Sequence, residues 1–260
     1  MKVKNKNIVI ISSIILVLIT LIYIIIYFSV YRANFNIKNL NSYESKYLDI
    51  YENRRYIYIE PKGISKPSTG IIFYPGGLIE EEAYLPLLVE LGKDGYGVYI
   101  VKSLMNIPIL NSDSAENIIG ENKFENYILM GHSLGGTSLL KYFSKQTNNS
   151  KKVDRIILLA SYSDGKYIFD SQRNDNYKRD ISVLSIVGSN DNVINIHKYE
   201  KDKINLPYNT EYFVIEGGNH SYFGNYGRHK NDNEAYISLE EQQYNTIKKI
   251  EEFLNESNVN

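Results

Sequence analysis

Hydrophobic positions follow two regimes along the 260-residue chain. From Ile8 to Val30 they are continuous: IVIISSIILVLITLIYIIIYFSV carries no charge and only Ser12, Ser13, Thr20 and Ser29 as small polar interruptions. A helix of this length reaches about 34 Å, enough to cross a hydrocarbon core of about 30 Å with slight tilt. A core helix of a globular domain would not need apolarity on every side over six turns. Lys2, Lys4 and Lys6 precede the run as in a secretory signal. Such a signal has an apolar region of about 7–15 residues and a small-x-small cleavage site. Here the run is longer and closes on Val30-Tyr31-Arg32. Residues 1–30 therefore read as an uncleaved signal anchor with a transmembrane helix over about 8–30.

Beyond residue 30 the apolar runs become short and are bounded by turn residues. Residues 31–54 read as a stalk and linker, and 55–260 as one folded domain. Strands are expected at 56–59 (YIYI), 71–74 (IIFY), 98–101 (VYIV), 127–130 (YILM), 155–159 (RIILL), 183–187 (VLSIV) and 212–215 (YFVI). Amphipathic or capped segments at 81–91, 114–119, 134–145 and 194–203, and from Ser238 onward, read as helices. In the last of these, Ser238 and Glu241 form a capping-box pair, and Tyr244, Ile247, Ile250 and Phe253 form the expected buried stripe. Strand and helix alternating at this spacing predict a mostly parallel central sheet with helices on both faces, preceded by one transmembrane helix. Ligand chemistry in such folds gathers at the carboxyl ends of the strands.

Composition narrows the function. With 43% hydrophobic and 23% charged residues the chain can bury one full-sized core, which excludes a disordered or collagen-like protein. Basic and acidic residues balance at 29 and 30, so nothing draws the chain to nucleic acid. The absence of cysteine removes thiol nucleophiles, thiolate metal sites and disulfides. Three lysines lie before the apolar run, and only Arg32 and Lys38 lie in the fifteen residues after it. The positive-inside bias thus predicts a cytoplasmic N-terminus and an extracytoplasmic domain, single-pass in the cell membrane. Tyr23, Tyr27, Phe28 and Tyr31 fit an aromatic belt at the distal end. Setting aside the three leading lysines leaves 26 basic against 30 acidic residues, a charge of −4 that gives no attraction to an anionic surface.

The chemistry is announced after the 127–130 strand, where Gly131-His132-Ser133-Leu134-Gly135-Gly136 reads G-x-S-x-G between a strand and a helix. Glycines there allow a turn sharp enough to lift a serine above the sheet. A serine hydroxyl needs a base, and the base a carboxylate that fixes its tautomer. Of the four histidines, His132 lies inside the turn and points away, His197 falls in a charged helix, and His229 in a polar loop. His220, in Gly217-Gly218-Asn219-His220, follows the last strand and is the candidate base. Asp191 follows the 183–187 strand in Gly188-Ser189-Asn190-Asp191 and is the candidate carboxylate. Asp164, Asp170, Asp175 and Asp180 read as solvated loop charges.

In these three segments, together with Tyr74-Pro75-Gly76-Gly77, the chain resembles the α/β-hydrolase fold family over roughly residues 55–255, most closely its small, cap-less dienelactone-hydrolase-like members. The resemblance implies acyl transfer through an acyl-enzyme on Ser133, with His220 as base and Asp191 as its partner. It also implies an oxyanion hole from the amides of Gly77 and Leu134, with Leu78 as the fallback for the first. No metal or organic cofactor is implied. Pro75 stands where many members carry histidine, which leaves backbone donors intact. Only 23 residues, 160–182, separate two strands where larger relatives insert a cap, so a lid from Tyr162, Tyr167, Ile168 and Phe169 would be short and the pocket open. Residues 221–227 are expected at its rim. The expected partners are a small ester or acyl substrate and, through residues 8–30, the lipid bilayer. Two function classes remain on this evidence: a membrane-anchored serine hydrolase of carboxylesterase type, with thioesterase, peptidase or acyltransferase variants, and a ligand-binding protein on the same scaffold. Ser133→Ala separates them.

Overall fold

Successive residues of a strand face opposite sides of its sheet, and strands apolar on both sides must be covered twice. The computed structural model, which describes residues 2–34, 46–63, 68–145, 147–163 and 181–256, is built on this rule. Its eight strands are β1 (Leu48–Glu52), β2 (Tyr56–Pro61), β3 (Thr69–Tyr74), β4 (Gly97–Val101), β5 (Asn126–His132), β6 (Val153–Leu159), β7 (Ser182–Gly188) and β8 (Glu211–Ile215). They form one sheet in the order β1-β2-β4-β3-β5-β6-β7-β8. The two pairings that involve β2 are antiparallel, and every pairing from β4 to β8 is parallel.

Ile71 and Phe73 of β3 enter one core, with Leu88 of α2 (Leu85–Lys93) and Ile250 and Phe253 of α6 (Leu239–Glu256). Ile72 and Tyr74 enter the other, with Ile118 of α3 (Ser114–Gly120) and Leu139 of α4 (Leu134–Phe143). A further helix, α5 (Ile196–Asp202), connects β7 to β8; Asn195 caps it by accepting from the Lys198 amide at 3.0 Å.

Three sequence expectations are revised. The stretch read as stalk and linker contains β1, whose Leu48 is buried and pairs in register with Pro61. Two apolar residues among Asp49, Tyr51 and Glu52 were too few to mark an edge strand. The stalk also does not stand free at its start, because Tyr31 forms a parallel bridge with Ile79. On α6, Ile247, Ile250 and Phe253 are buried as expected, but Tyr244 is 66% exposed and Gln242 and Thr246 complete the buried face. Of the short lid, Tyr167, Ile168 and Phe169 lie outside the described residues.

The N-terminal helix α1 (Lys2–Ser29) is, among the described residues, the one helix long and apolar enough to cross a membrane. Its apolar side chains from Ile10 to Phe28 are exposed almost throughout.

Candidate active site

Between the last residue of β5, His132, and the first of α4, Leu134, one residue makes the turn. That residue, Ser133, adopts φ 51° and ψ −121°, a backbone state that costs a non-glycine residue about 1–3 kcal/mol. The neighbouring glycines exist because the chain passes too close to itself for a side chain. A Cβ on Gly135 would lie 2.1 Å from the Tyr74 carbonyl oxygen, and one on Gly136 would lie 2.2 Å from Ser161 Oγ. The Ser133 amide donates to the Leu159 carbonyl at 2.9 Å, and its carbonyl accepts from Ser161 Oγ at 2.8 Å. The two bonds hold the turn against the end of β6 and the segment that follows it.

Asp191 and His220 meet at the carboxyl ends of β7 and β8. Asp191 Oδ2 accepts from His220 Nδ1 at 2.8 Å, with the two side chains only 4% and 3% exposed. Asp191 Oδ1 accepts from the amides of Val193 and Ile194 at 2.8 and 2.9 Å, so the carboxylate cannot swing away. Because a carboxylate only accepts, Nδ1 carries a proton directed at Asp191, and Nε2 is the ring nitrogen on the side away from it. The two loops touch backbone to backbone: a Cβ on Gly188 would lie 2.4 Å from Gly218, whose carbonyl accepts from the Asn190 amide at 2.8 Å. Among the described residues Ser133 Oγ makes no hydrogen bond to His220; the ring of His132, the residue before Ser133, lies 4.6 Å from that of His220.

Gly77 and Leu134 are neighbours: a Cβ on Gly77 would lie 3.0 Å from Leu134 Cδ2. Leu78, the fallback, has its amide bound to the Asn106 carbonyl at 2.6 Å and is excluded as a free donor. Of the other histidines, His197 is exposed on α5. His229 is half-buried, its ring 6.3 Å from that of His220, and burial together with His220 lowers its pKa.

A family model of the alpha/beta hydrolase family matches residues 70–244. The chain belongs to that family. Its fold is similar to the crystal structure of a predicted CIB-like hydrolase from Thermoplasma acidophilum, with a TM-score of 0.55 and 16% identity over 78% of this chain and 98% of that one. None of the curated proteins matches the sequence.

Three residues that sequence reasoning passed over hold this hydrolase's site in place. Tyr84, within the 81–91 segment read as a helix, sends its hydroxyl under the turn. The Gly76 amide donates to Tyr84 Oη at 3.0 Å, and Tyr84 Oη lies 2.8 Å from His132 Nδ1. His132 Nε2 lies 3.1 Å from the His220 carbonyl, which only accepts. The proton is therefore on Nε2, and Nδ1 accepts from the tyrosine. One relay thus joins the loop before Gly77, the residue before Ser133 and the backbone of His220. Burial, with His220 nearby, holds the His132 pKa well below the ordinary histidine range.

The second residue is Gln242, on the buried face of α6. It clamps Asn219, accepting from its amide at 2.9 Å and donating to its carbonyl at 2.8 Å. A polar residue four positions before Thr246 and eight before Ile250, on what proves to be the core face, was the available signal. The third is Asp232, whose Oδ2 accepts from the amide and hydroxyl of Ser221 at 2.8 and 2.6 Å. Among the described residues no group of three or more His, Asp or Glu side chains could hold a metal ion.

Proposed function

We propose that this hydrolase is a membrane-anchored serine esterase that cleaves an ester-type acyl bond through an acyl-enzyme on Ser133. The observation that supports the reading is the buried Asp191–His220 pair, with the ring of His220 4.6 Å from that of His132, the residue before a serine held at positive φ between β5 and α4. In the proposed reaction Ser133 Oγ attacks the acyl carbonyl while its proton passes to His220 Nε2. Asp191 stabilises the imidazolium and holds its orientation. The oxyanion is received by the amides of Gly77 and Leu134, each such donor supplying about 2.7–4 kcal/mol of barrier reduction. His220 then returns the proton to the leaving alcohol. Water, deprotonated by the same histidine, releases the acid and restores the serine. Residues 8–30 anchor the enzyme in the cell membrane, with the domain on the extracytoplasmic side.

The test is labelling of the full chain in detergent with a fluorophosphonate probe. Wild type should label, and Ser133→Ala and His220→Ala should not, with unchanged circular dichroism. Labelling of Ser133→Ala would move the nucleophile elsewhere. A folded wild type that does not label would favour a ligand-binding protein on this scaffold. Protease digestion of the domain in intact cells tests its side of the membrane.

A further inference from the structure

The end of α1 is fastened to the rim of the candidate active site, with only Val30 between Ser29, the last helical residue, and the first fastening residue, Tyr31. The Tyr31 amide donates to the Leu78 carbonyl at 2.7 Å, and the Glu80 amide donates to the Tyr31 carbonyl at 3.0 Å. Arg32 is a corner brace. One of its nitrogens donates to the Tyr27 carbonyl inside α1 at 3.1 Å, and another pairs with Glu80 at 2.6 Å. On the other side of the site, the Asn34 amide donates to the Asn225 carbonyl at 2.7 Å, and the Lys230 amide donates to the Tyr31 hydroxyl at 3.1 Å. The strap therefore grips both the loop that carries Gly77 and the loop that follows His220.

Chain geometry then limits how far the site can stand from the membrane. With Tyr31 bridged to Ile79, two residues from Gly77, the Gly77 amide lies no more than about 20 Å from the last helical residue. The headgroup layer of one leaflet is itself about 5–7 Å deep. The same edge of the sheet also shows large apolar side chains to the outside. Leu104 and Leu110 follow the carboxyl end of β4 and are 61% and 58% exposed. Asn106, between them, accepts the Leu78 amide, so this loop is continuous with the strap.

We propose that the active-site edge rests on the bilayer and that the substrate is the acyl ester of an amphiphile resident in the adjacent leaflet, a lipid rather than a freely dissolved ester. The substrate assignment rests on the esterase reading above; the placement of the edge does not. A water-soluble substrate would gain nothing from an anchor braced against the oxyanion loop. A lipid needs to rise only a short way to bring its ester to Ser133.

The chain contains no tryptophan, so a single introduced one reports without background. Leu104→Trp and Tyr208→Trp, made separately in the full chain, are reconstituted in phosphatidylcholine vesicles whose acyl chains are brominated or not. Tyr208, fully exposed at the amino end of β8, marks the opposite edge. Bromolipid should quench Leu104→Trp by a third or more and leave Tyr208→Trp unchanged. No quenching of Leu104→Trp, or equal quenching of both, overturns the placement.

For the substrate, a flexible Gly/Ser segment of about 20 residues, spanning about 25 Å on average, is inserted between Ser29 and Val30 to free the strap from the membrane. Hydrolysis of a dissolved short-chain ester should stay within twofold of wild type, and that of a vesicle-embedded long-chain ester should fall at least fivefold. No difference between the two esters overturns the lipid assignment. If wild type cleaves neither ester, the esterase reading fails, and quenching alone still decides whether the edge lies on the membrane.

Discussion

Tyr84→Phe removes a single oxygen, and its consequences can be worked out from the relay beneath Ser133. The Gly76 amide and His132 Nδ1 each lose their partner, and both groups are buried. Leaving one such group unsatisfied costs about 1–3 kcal/mol, and removing the buried hydroxyl returns part of that. The expected loss is about 3 kcal/mol, which for a domain of this size lowers the melting temperature by about 6–12 °C. Tyr74→Phe is the matched control. The Tyr74 hydroxyl also bridges two groups, donating to the Ser112 carbonyl at 2.7 Å and accepting from the Ala115 amide at 2.8 Å, but on the α3 side of the sheet. Thermal unfolding of the full chain in detergent, followed by circular dichroism, should show similar losses for the two variants. Fluorophosphonate labelling of the folded protein should slow at least fivefold in Tyr84→Phe alone, because only that hydroxyl spaces the loop before Gly77 and orients the residue next to Ser133. A Tyr84→Phe variant less than about 0.5 kcal/mol below wild type would show that the relay carries no stability. Equal labelling by both variants would show that it does not position the site.

Asp191→Asn keeps an oxygen for the Val193 and Ile194 amides but loses the charge that fixes the His220 tautomer, so ester turnover should fall by about four orders of magnitude with little change in melting temperature. Gly135→Ala would set a Cβ 2.1 Å from the Tyr74 carbonyl oxygen, with no flexible side chain able to yield; the variant should fail to accumulate as folded protein, whereas Gly63→Ala, with nothing within 4 Å but a φ of +76°, should cost only about 1 kcal/mol. The lowered pKa of His132 gives stability a pH dependence. Above pH 6.5 the ring is neutral in both folded and unfolded chains. As pH falls below 6.5 only the unfolded chain gains the proton, and stability declines by up to about 1.4 kcal/mol per pH unit until the folded pKa is reached. Urea midpoints between pH 7 and 5 should therefore fall more steeply in wild type than in His132→Asn; parallel lines would refute the assignment.

The architecture and the loops of the candidate site were legible because their signals are local and redundant. A continuous apolar run, strands closed by glycine and proline, and a G-x-S-x-G turn each constrain the chain within a few residues. Ser133, Asp191 and His220 sit at strand ends, so the order of elements alone brought them to one edge. What holds them there was not legible. Tyr84 and His132 are 48 residues apart, and Gln242 and Asn219 are 23 apart. Each is a polar atom satisfied only by another that comes from elsewhere in the chain. Periodicity scores a tyrosine as apolar and a glutamine as surface, so it put Tyr244 rather than Gln242 on the buried face of α6 and gave Tyr84 no role. The strap is the extreme case. Tyr31, Arg32 and Asn34 lie in a polar segment with no period, and their meaning comes wholly from Leu78, Glu80, Asn225 and Lys230, folded far downstream. A reading of elements locates a candidate group where a strand ends. It cannot see the contacts by which a distant segment fixes that group's orientation, and in this hydrolase those contacts also tie the site to the helix proposed to anchor it.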